Sequence, residues 1–137
     1  MVDAEAGFRE IAHTADWELE VWAPNMSGLL EQAARGMYAL MGVHAGQDQR
    51  SVRPVSVSGA DSESLLVSFL SELLYYTERE GLFFDSYDIK LDGHTLQAQV
   101  AGVPIARQSK EIKAVTYHNL EVRANQGRLE ANIVFDV

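Results

Sequence analysis

Two stretches, one near each end of the sequence, carry the side chains most suited to chemistry. The sequence ends with Asp136 and Val137, which places one side-chain carboxylate next to the terminal carboxyl group. Asp16, the last residue of segment 13–16, supplies another carboxylate far away in the sequence. Carboxylate oxygens are hard ligands, which favours Mg²⁺, Ca²⁺ or Mn²⁺ over zinc. Taken alone, however, an aspartate beside a strand is more often a turn residue, a helix-cap partner or plain surface.

Both carboxylates need a strand to hold them in place. Residues 128–137 have the composition of a strand that runs into the terminus, and a terminal residue within a strand is tied down instead of frayed. Residues 17–22 alternate, with Trp17, Leu19 and Val21 on one face and two glutamates on the other. This alternation is typical of a half-buried strand. We therefore expect each aspartate to lie beside the end of a strand.

Two helices are predicted between these strands. Ser27 is the expected N-cap of the first helix and Gly42 its end, whereas the second begins after Asp61 and ends at Gly81. Each helix has an apolar stripe at helical spacing. The stripes consist of Leu30, Ala33, Ala34, Met37 and Met41 in the first helix, and of Leu65, Leu66, Phe69, Leu70, Leu73 and Leu74 in the second.

The rest of the chain has the pattern of strands separated by polar turns. The remaining strands are predicted at 50–58, 83–91, 95–103 and 114–122. Pro54 makes the first of these a candidate for an edge strand, because proline cannot donate to a neighbour. The pattern predicts an α+β fold with one domain over residues 1–137. We expect a largely antiparallel mixed sheet, or more than one, with the two main helices packed on one face.

The composition of the chain bears on where the protein is found and on which partners it can bind. Hydrophobic residues make up 47% and charged residues 23%, as in an ordinary globular protein. The formal charge of −9 repels phosphate backbones, so we expect no tight direct binding of nucleic acid. The chain has no cysteine, which excludes disulfides and thiolate metal sites. It also lacks a long apolar run and a signal-peptide pattern, which predicts a cytoplasmic protein without a membrane segment.

Four stretches together match a known family. They are His-Thr-Ala-Asp at 13–16, the helix 29–41 with its Ala-Ala-x-Gly-Met core, the block Lys-Glu-Ile-Lys-Ala-Val-Thr-Tyr-His at 110–118, and the ending Val-Phe-Asp-Val at 134–137. With these stretches in this order over nearly the whole length, the chain resembles the archease family.

The resemblance implies an accessory role. Archease-like proteins assist a GTP- and metal-dependent RNA-splicing ligase, which joins RNA ends in tRNA splicing and RNA repair. The assistance promotes guanylylation of the ligase and multiple turnover. The chain is therefore expected to be a non-catalytic activator whose partner is the RNA-splicing ligase.

The resemblance also implies a divalent-metal site. The family's metal ligands map onto Asp16 and Asp136, with Val137 supplying its terminal carboxylate or carbonyl; the ion would be Ca²⁺, Mg²⁺ or Mn²⁺. Trp17 and Glu18 depart from the pattern, since smaller or aliphatic residues are expected after the His-Thr-Ala-Asp motif. The rim of the site is therefore expected to differ.

Three further residues are candidates for supporting roles. His13 is three residues before Asp16 and is interpreted either as a group that orients Asp16 or as a histidine satisfied by backbone. Lys110 and Lys113 stand out in an acidic chain. They are either solvated residues at the start of a strand or contacts to a nucleotide phosphate or an acidic group of the partner.

Two other functions remain compatible with the residues. One is a small metal-dependent phosphohydrolase built on the two aspartates and a lysine, although two-metal chemistry needs more bridging carboxylates than the sequence offers. The other is a chaperone-like partner of a tRNA-modifying enzyme, for which metal would be irrelevant. The sequence has no Gly-rich phosphate loop and no His-Glu-x-x-His motif.

Overall fold

A computed structural model describes residues 5–12, 17–47 and 49–137. Within these ranges the chain forms nine strands and two α-helices. In chain order they are β1 (Gly7–Ile11), β2 (Trp17–Ala23), α1 (Met26–Met41), β3 (His44–Ala45), β4 (Ser51–Ser58), α2 (Ser62–Glu80), β5 (Leu82–Asp92), β6 (Thr95–Arg107), β7 (Ala114–Val115), β8 (Arg123–Asn125) and β9 (Arg128–Asp136).

The strands form two sheets. A five-stranded sheet has the order β1-β2-β9-β7, with β8 also paired to β9, and a four-stranded sheet has the order β3-β6-β4, with β5 also paired to β6. Every pairing among the described strands is antiparallel. The α+β prediction with antiparallel sheets is therefore confirmed.

The helices cover one face of each sheet. Helix α1 packs mainly on β2 and β1, α2 packs mainly on β4, and each helix also contacts the other sheet. Both predicted apolar stripes are buried, except that Leu74 is only partly so. Neither helix of the described chain combines the length and hydropathy that a membrane crossing requires.

The caps of the helices correct one prediction. Asn25, not Ser27, caps α1: its backbone is extended and its side-chain oxygen accepts a hydrogen bond from the N–H of Gly28 at 2.8 Å. Asn25 lies three residues before that donor, the spacing at which a cap side chain reaches a free helical N–H. Asp61 caps α2 as predicted. Gly42 and Gly81 end the two helices in the left-handed region, at φ of 62° and 67°.

The strand predicted at 114–122 is wrong beyond its first two residues. After Val115, the Thr116 hydroxyl donates to the carbonyl of Val134 at 2.9 Å, and the His118 N–H donates to the Thr116 hydroxyl at 3.2 Å. Asn119 then adopts a φ of 52°. Because threonine and asparagine offer the backbone local partners of this kind, the chain leaves the sheet in spite of its apolar alternation.

The edge position predicted for Pro54 is confirmed. Among the described strands, β4 pairs only with β6. The carbonyl of Pro54 accepts a hydrogen bond from the Tyr76 hydroxyl of α2 at 2.8 Å, and the Arg53 guanidinium donates to the carbonyl of Val52 at 2.9 Å. These contacts occupy backbone acceptors that an exposed edge would otherwise offer to another chain.

Candidate metal centre

The register between β2 and β9 brings together two strands that are distant in the sequence. Trp17, the first residue of β2, pairs with Phe135, and the pairing continues to Ala23 opposite Leu129. Trp17 directly follows Asp16 in the sequence, and Phe135 directly precedes Asp136. The partner strands therefore join the chain segments that carry the two predicted metal ligands.

Asp136 presents its carboxylate from an anchored backbone. Its carbonyl accepts a hydrogen bond from the N–H of Lys113 at 2.8 Å, and it pairs with Ala114 of β7. Its side chain is exposed, and within the described ranges no hydrogen bond or ion pair engages the carboxylate. Val137 is partly buried and packs against the core. The last two residues are thus held in place, as the strand prediction required.

The predicted residues Asp16 and His13 lie outside the described residues. Of the predicted ligands, the structure describes Asp136 and Val137. Among the residues it describes, no group of three or more histidine, aspartate or glutamate side chains is arranged to hold a metal ion.

The segment that carries both candidate lysines is fixed to the end of α1. The N–H groups of Ser109 and Lys110 both donate to the carbonyl of Met41, at 3.0 and 3.1 Å. The Gln108 amide donates to the carbonyl of Lys110 at 3.0 Å. Ile112 then anchors the segment in the core, with an exposed fraction of only 5%. The lysine side chains extend from a defined backbone and are themselves exposed.

Both lysines lie at the end of the five-stranded sheet where β2 begins. The ammonium group of Lys110 is 4.2 Å from the centroid of the Trp17 ring, a cation–π distance. Lys113 is tied to Asp136 through its backbone. The structure thus brings Lys110 and Lys113 to the same sheet end as the exposed carboxylate of Asp136. His118, by contrast, is an exposed residue in a turn.

A polar network on the outer face of this sheet was not predicted. The amide of Asn132 on β9 donates to Glu18 on β2 at 2.8 Å, and its oxygen accepts from the guanidinium of Arg123 on β8 at 3.0 Å. Sequence alternation places Glu18 on the polar face of its strand. The residue that faces Glu18 is determined by the pairing of β2 with β9. No short-range signal in the sequence specifies this pairing.

Two other carboxylates on this face of the sheet form ion pairs with arginines. Glu20 pairs with Arg9, and Glu130 accepts from Arg128 at 2.8 Å. The hydrogen bond from Arg128 lowers the pKa of the Glu130 carboxyl below its usual range. Asp136 has no such ion-pair partner among the described residues. Its hard oxygen donors fit the divalent ions named above.

Comparison with known proteins identifies the family. A family model described as the Archease protein family (MTH1598/TM1083) matches residues 8–137. The chain belongs to the archease family. Among its relatives, the archease of Pyrococcus furiosus is 33% identical over 135 residues, covering 91% of this chain and 94% of that protein. The archease of Methanopyrus kandleri is 31% identical over 139 residues, covering 95% and 99%.

Solved structures agree with the archease assignment. The solution structure of protein 1598 from Methanobacterium thermoautotrophicum is similar with a TM-score of 0.74 and 26% identity, covering 96% of this chain and 99% of that one. A Thermotoga maritima crystal structure, of an archease described as a possible chaperone, gives a TM-score of 0.69 at 24% identity over 94% and 96%. This second likeness shows the shared fold. The resemblance to the archease family is thereby confirmed.

Proposed function

We propose that this archease-family chain is a non-catalytic activator of the GTP- and metal-dependent RNA-splicing ligase. It promotes guanylylation and multiple turnover of the ligase through a divalent-metal site formed by Asp16, Asp136 and the terminal carboxylate of Val137. The observation that carries the proposal is the pairing of Trp17 with Phe135.

That pairing supports a shared site because of covalent connectivity. Asp16 is one peptide bond before Trp17, and Asp136 is one peptide bond after Phe135. Asp16 and Asp136 are more than a hundred positions apart in the sequence, yet each is bonded to one member of the same strand pair. Sites on strands hold their ligands more precisely than sites on loops, and β9 is fixed on both sides by β2 and β7.

The chemistry of the donor set suits a cation that is presented to a partner. A bound divalent ion supplies positive charge that can be shared with oxygen ligands from another molecule. Two side-chain carboxylates and one terminal carboxylate leave coordination positions for water or for groups of the partner. A site of this kind binds its ion weakly enough to exchange it.

The distribution of charge supports a protein partner in preference to RNA. The formal charge of −9 disfavours a broad RNA-binding surface. Lys110 and Lys113 provide two cationic side chains beside Asp136, where an acidic or phosphorylated group of a protein–nucleotide complex would enter. The two lysines and the metal would then recognise the same anionic group from two sides.

The test is guanylylation of the cognate ligase with and without this chain, at limiting Mn²⁺ and GTP. Asp16→Asn and Asp136→Asn are expected to reduce stimulation to the level of ligase alone. Asp88→Asn is the matched control, because Asp88 is an exposed aspartate on β5 of the other sheet. Normal stimulation by both site variants would show that the site is wrongly assigned.

A chaperone-like role with a tRNA-modifying enzyme is the alternative. The Thermotoga maritima relative is described as a possible chaperone, which favours this alternative. The two functions differ in their need for metal. A chaperone-like effect would survive a chelator and the Asp136→Asn substitution, whereas the activator function requires the ion.

A further inference from the structure

A cavity of about 260 Å³ lies where helix α1 meets strands β1 and β5. Among the described residues that line it, Arg35 is the one with a charge. The other lining residues are Phe8, Tyr38, Ala39, Val43, Phe83 and Phe84. An apolar cavity of about 150 Å³ is large enough for benzene, whereas sites for drug-sized ligands begin at about 300 Å³. The volume of this cavity therefore suits one ring with a short substituent.

The aromatic walls of the cavity are held in place by the core. Phe84 is fully buried, and Tyr38 is almost fully buried. The Tyr38 hydroxyl is hydrogen-bonded to Thr77 at 2.8 Å, and its ring meets that of Phe83 edge to face, with the centroids 5.1 Å apart. Ala39 is exposed, so the cavity is open to solvent. A ligand ring would therefore enter a preformed apolar site and gain aromatic contacts in addition to burial.

The guanidinium of Arg35 is fixed from two sides. Its Nε and Nη2 atoms both donate to the carboxylate of Glu31, one helical turn earlier, at 3.0 and 2.9 Å. Its Cζ atom lies 5.2 Å from the centroid of the Tyr87 ring. A guanidinium has five N–H donors, and within the described parts of the chain no further hydrogen bond engages Arg35. Three of its N–H groups are therefore left to bind an anion at the cavity.

We propose that this cavity binds a small aromatic monocarboxylate, with the ring among the aromatic side chains and the carboxylate on the free N–H groups of Arg35. A carboxylate matches the fork of a guanidinium, and a hydrogen bond between charged groups is stronger than a neutral one. The pair with Glu31 joins half-exposed side chains four residues apart on a helix, a weak kind of ion pair. It orients Arg35 and leaves the other edge of the guanidinium for a second carboxylate. Asp136 and Val137 do not line the cavity, so the inference is independent of the proposed function.

The test follows the backbone amides by NMR during titration with three probes that share a ring and differ in charge. The probes are phenylacetate, the neutral phenylacetamide and the cationic phenethylamine. Phenylacetate is expected to bind about tenfold more tightly than phenylacetamide, because hydrogen bonds to charged groups are the stronger ones. The largest shift changes are expected at Ala39 and Val43. Equal affinity for the three probes, or shift changes centred away from α1 and β5, would overturn the proposal.

Two variants and a control assign the contacts. Arg35→Gln is expected to reduce the affinity for phenylacetate to that for phenylacetamide. Ala39→Leu places a larger side chain at the cavity and is expected to weaken binding of both probes by at least about tenfold. Arg79→Gln is the matched control, since Arg79 also stacks on a tyrosine, Tyr75, but lies outside the cavity; affinity should stay within about twofold. Phenylacetate binding that survives both Arg35→Gln and Ala39→Leu contradicts the proposal.

A last probe distinguishes a free acid from the end of a protein chain. The tripeptide Gly-Ser-Phe carries the same ring and a carboxylate on a peptide. Equal or weaker binding than that of phenylacetate supports a free acid as the ligand. Tighter binding would replace the free acid by the C-terminus of a protein partner. Urea denaturation of each variant identifies any loss of affinity that is caused by loss of the fold.

Discussion

The ammonium group of Lys110 lies over the indole ring of Trp17, 4.2 Å from its centroid. This contact joins the segment after β6 to the first residue of β2, at the sheet end that carries Asp136. Trp17 pairs with Phe135, whereas Lys110 is fixed by the carbonyl of Met41. Lys110 thus connects two places: its backbone is bonded to the end of α1, and its side chain contacts the sheet end that carries Asp136.

The first prediction concerns the strength of this contact. Cation–π pairs at exposed sites contribute about 0.5–1 kcal/mol to the free energy of unfolding. A double-mutant cycle of Lys110→Met and Trp17→Leu, measured by urea denaturation, is expected to give a coupling energy of that size. Lys110→Arg is expected to keep the contact, because a guanidinium also stacks on an indole. A coupling energy of zero would mean that the two side chains do not interact in solution.

The second prediction concerns the side chain of Lys113. Its backbone N–H holds the carbonyl of Asp136, but its ammonium group is exposed. Lys113→Met is therefore expected to leave stability and Mn²⁺ affinity within about twofold of the parent while reducing stimulation of the ligase. Lys90→Met, which removes an exposed lysine from the four-stranded sheet, is the control and should stimulate normally. Equal stimulation by both variants would leave Lys113 as a solvated residue.

The third prediction tests the terminal carboxylate. Adding a Gly-Ser dipeptide after Val137 moves the charged terminus away from the sheet, while the packing of Val137 on the core is retained. If the terminal group is a ligand, Mn²⁺ binding is expected to weaken by at least about tenfold. The measurement is a calorimetric titration of the apo protein with Mn²⁺. Unchanged affinity would remove Val137 from the ligand set without affecting Asp136.

The fourth prediction distinguishes the two candidate caps of α1. Asn25→Ala removes the acceptor of the Gly28 N–H and is expected to lower the free energy of unfolding by about 1 kcal/mol. Ser27→Ala is the matched control; Ser27 lies within the helix, so its replacement is expected to change stability by less than about 0.5 kcal/mol. The reverse order of effects in urea denaturation would restore Ser27 as the cap.

The sequence alone was sufficient to predict those helices and strands whose patterns involve only neighbouring residues. The alternation of residues 17–22, the apolar stripes of both helices and the glycines that end them all depend on neighbouring residues, and all are found in the structure. The strand predicted after Val115 failed because the His118 N–H finds a local acceptor in the Thr116 hydroxyl and the chain turns at Asn119. Short strand β1, with the sequence Gly-Phe-Arg-Glu-Ile, gave too weak a pattern to predict.

The resemblance predicts the metal ligands as one set, whereas the surroundings of that set could not be predicted from the sequence. Asp136 and the two lysines were identified by residue type and by resemblance, and the structure brings them to one end of a sheet. The contact of Asn132 with Glu18 depends on the register of two strands that are more than a hundred residues apart in sequence. Register of this kind is set by packing across the whole sheet, so it cannot be derived from either strand alone.

The central claim is that the carboxylates of Asp16 and Asp136 share one divalent cation. The most direct measurement is a crystal structure of the protein grown with Mn²⁺, with the metal located by its anomalous scattering. The account predicts one anomalous peak in contact with oxygen atoms of both aspartates. A peak bound by Asp136 but not by Asp16, or a metal bound elsewhere on the protein, would contradict it.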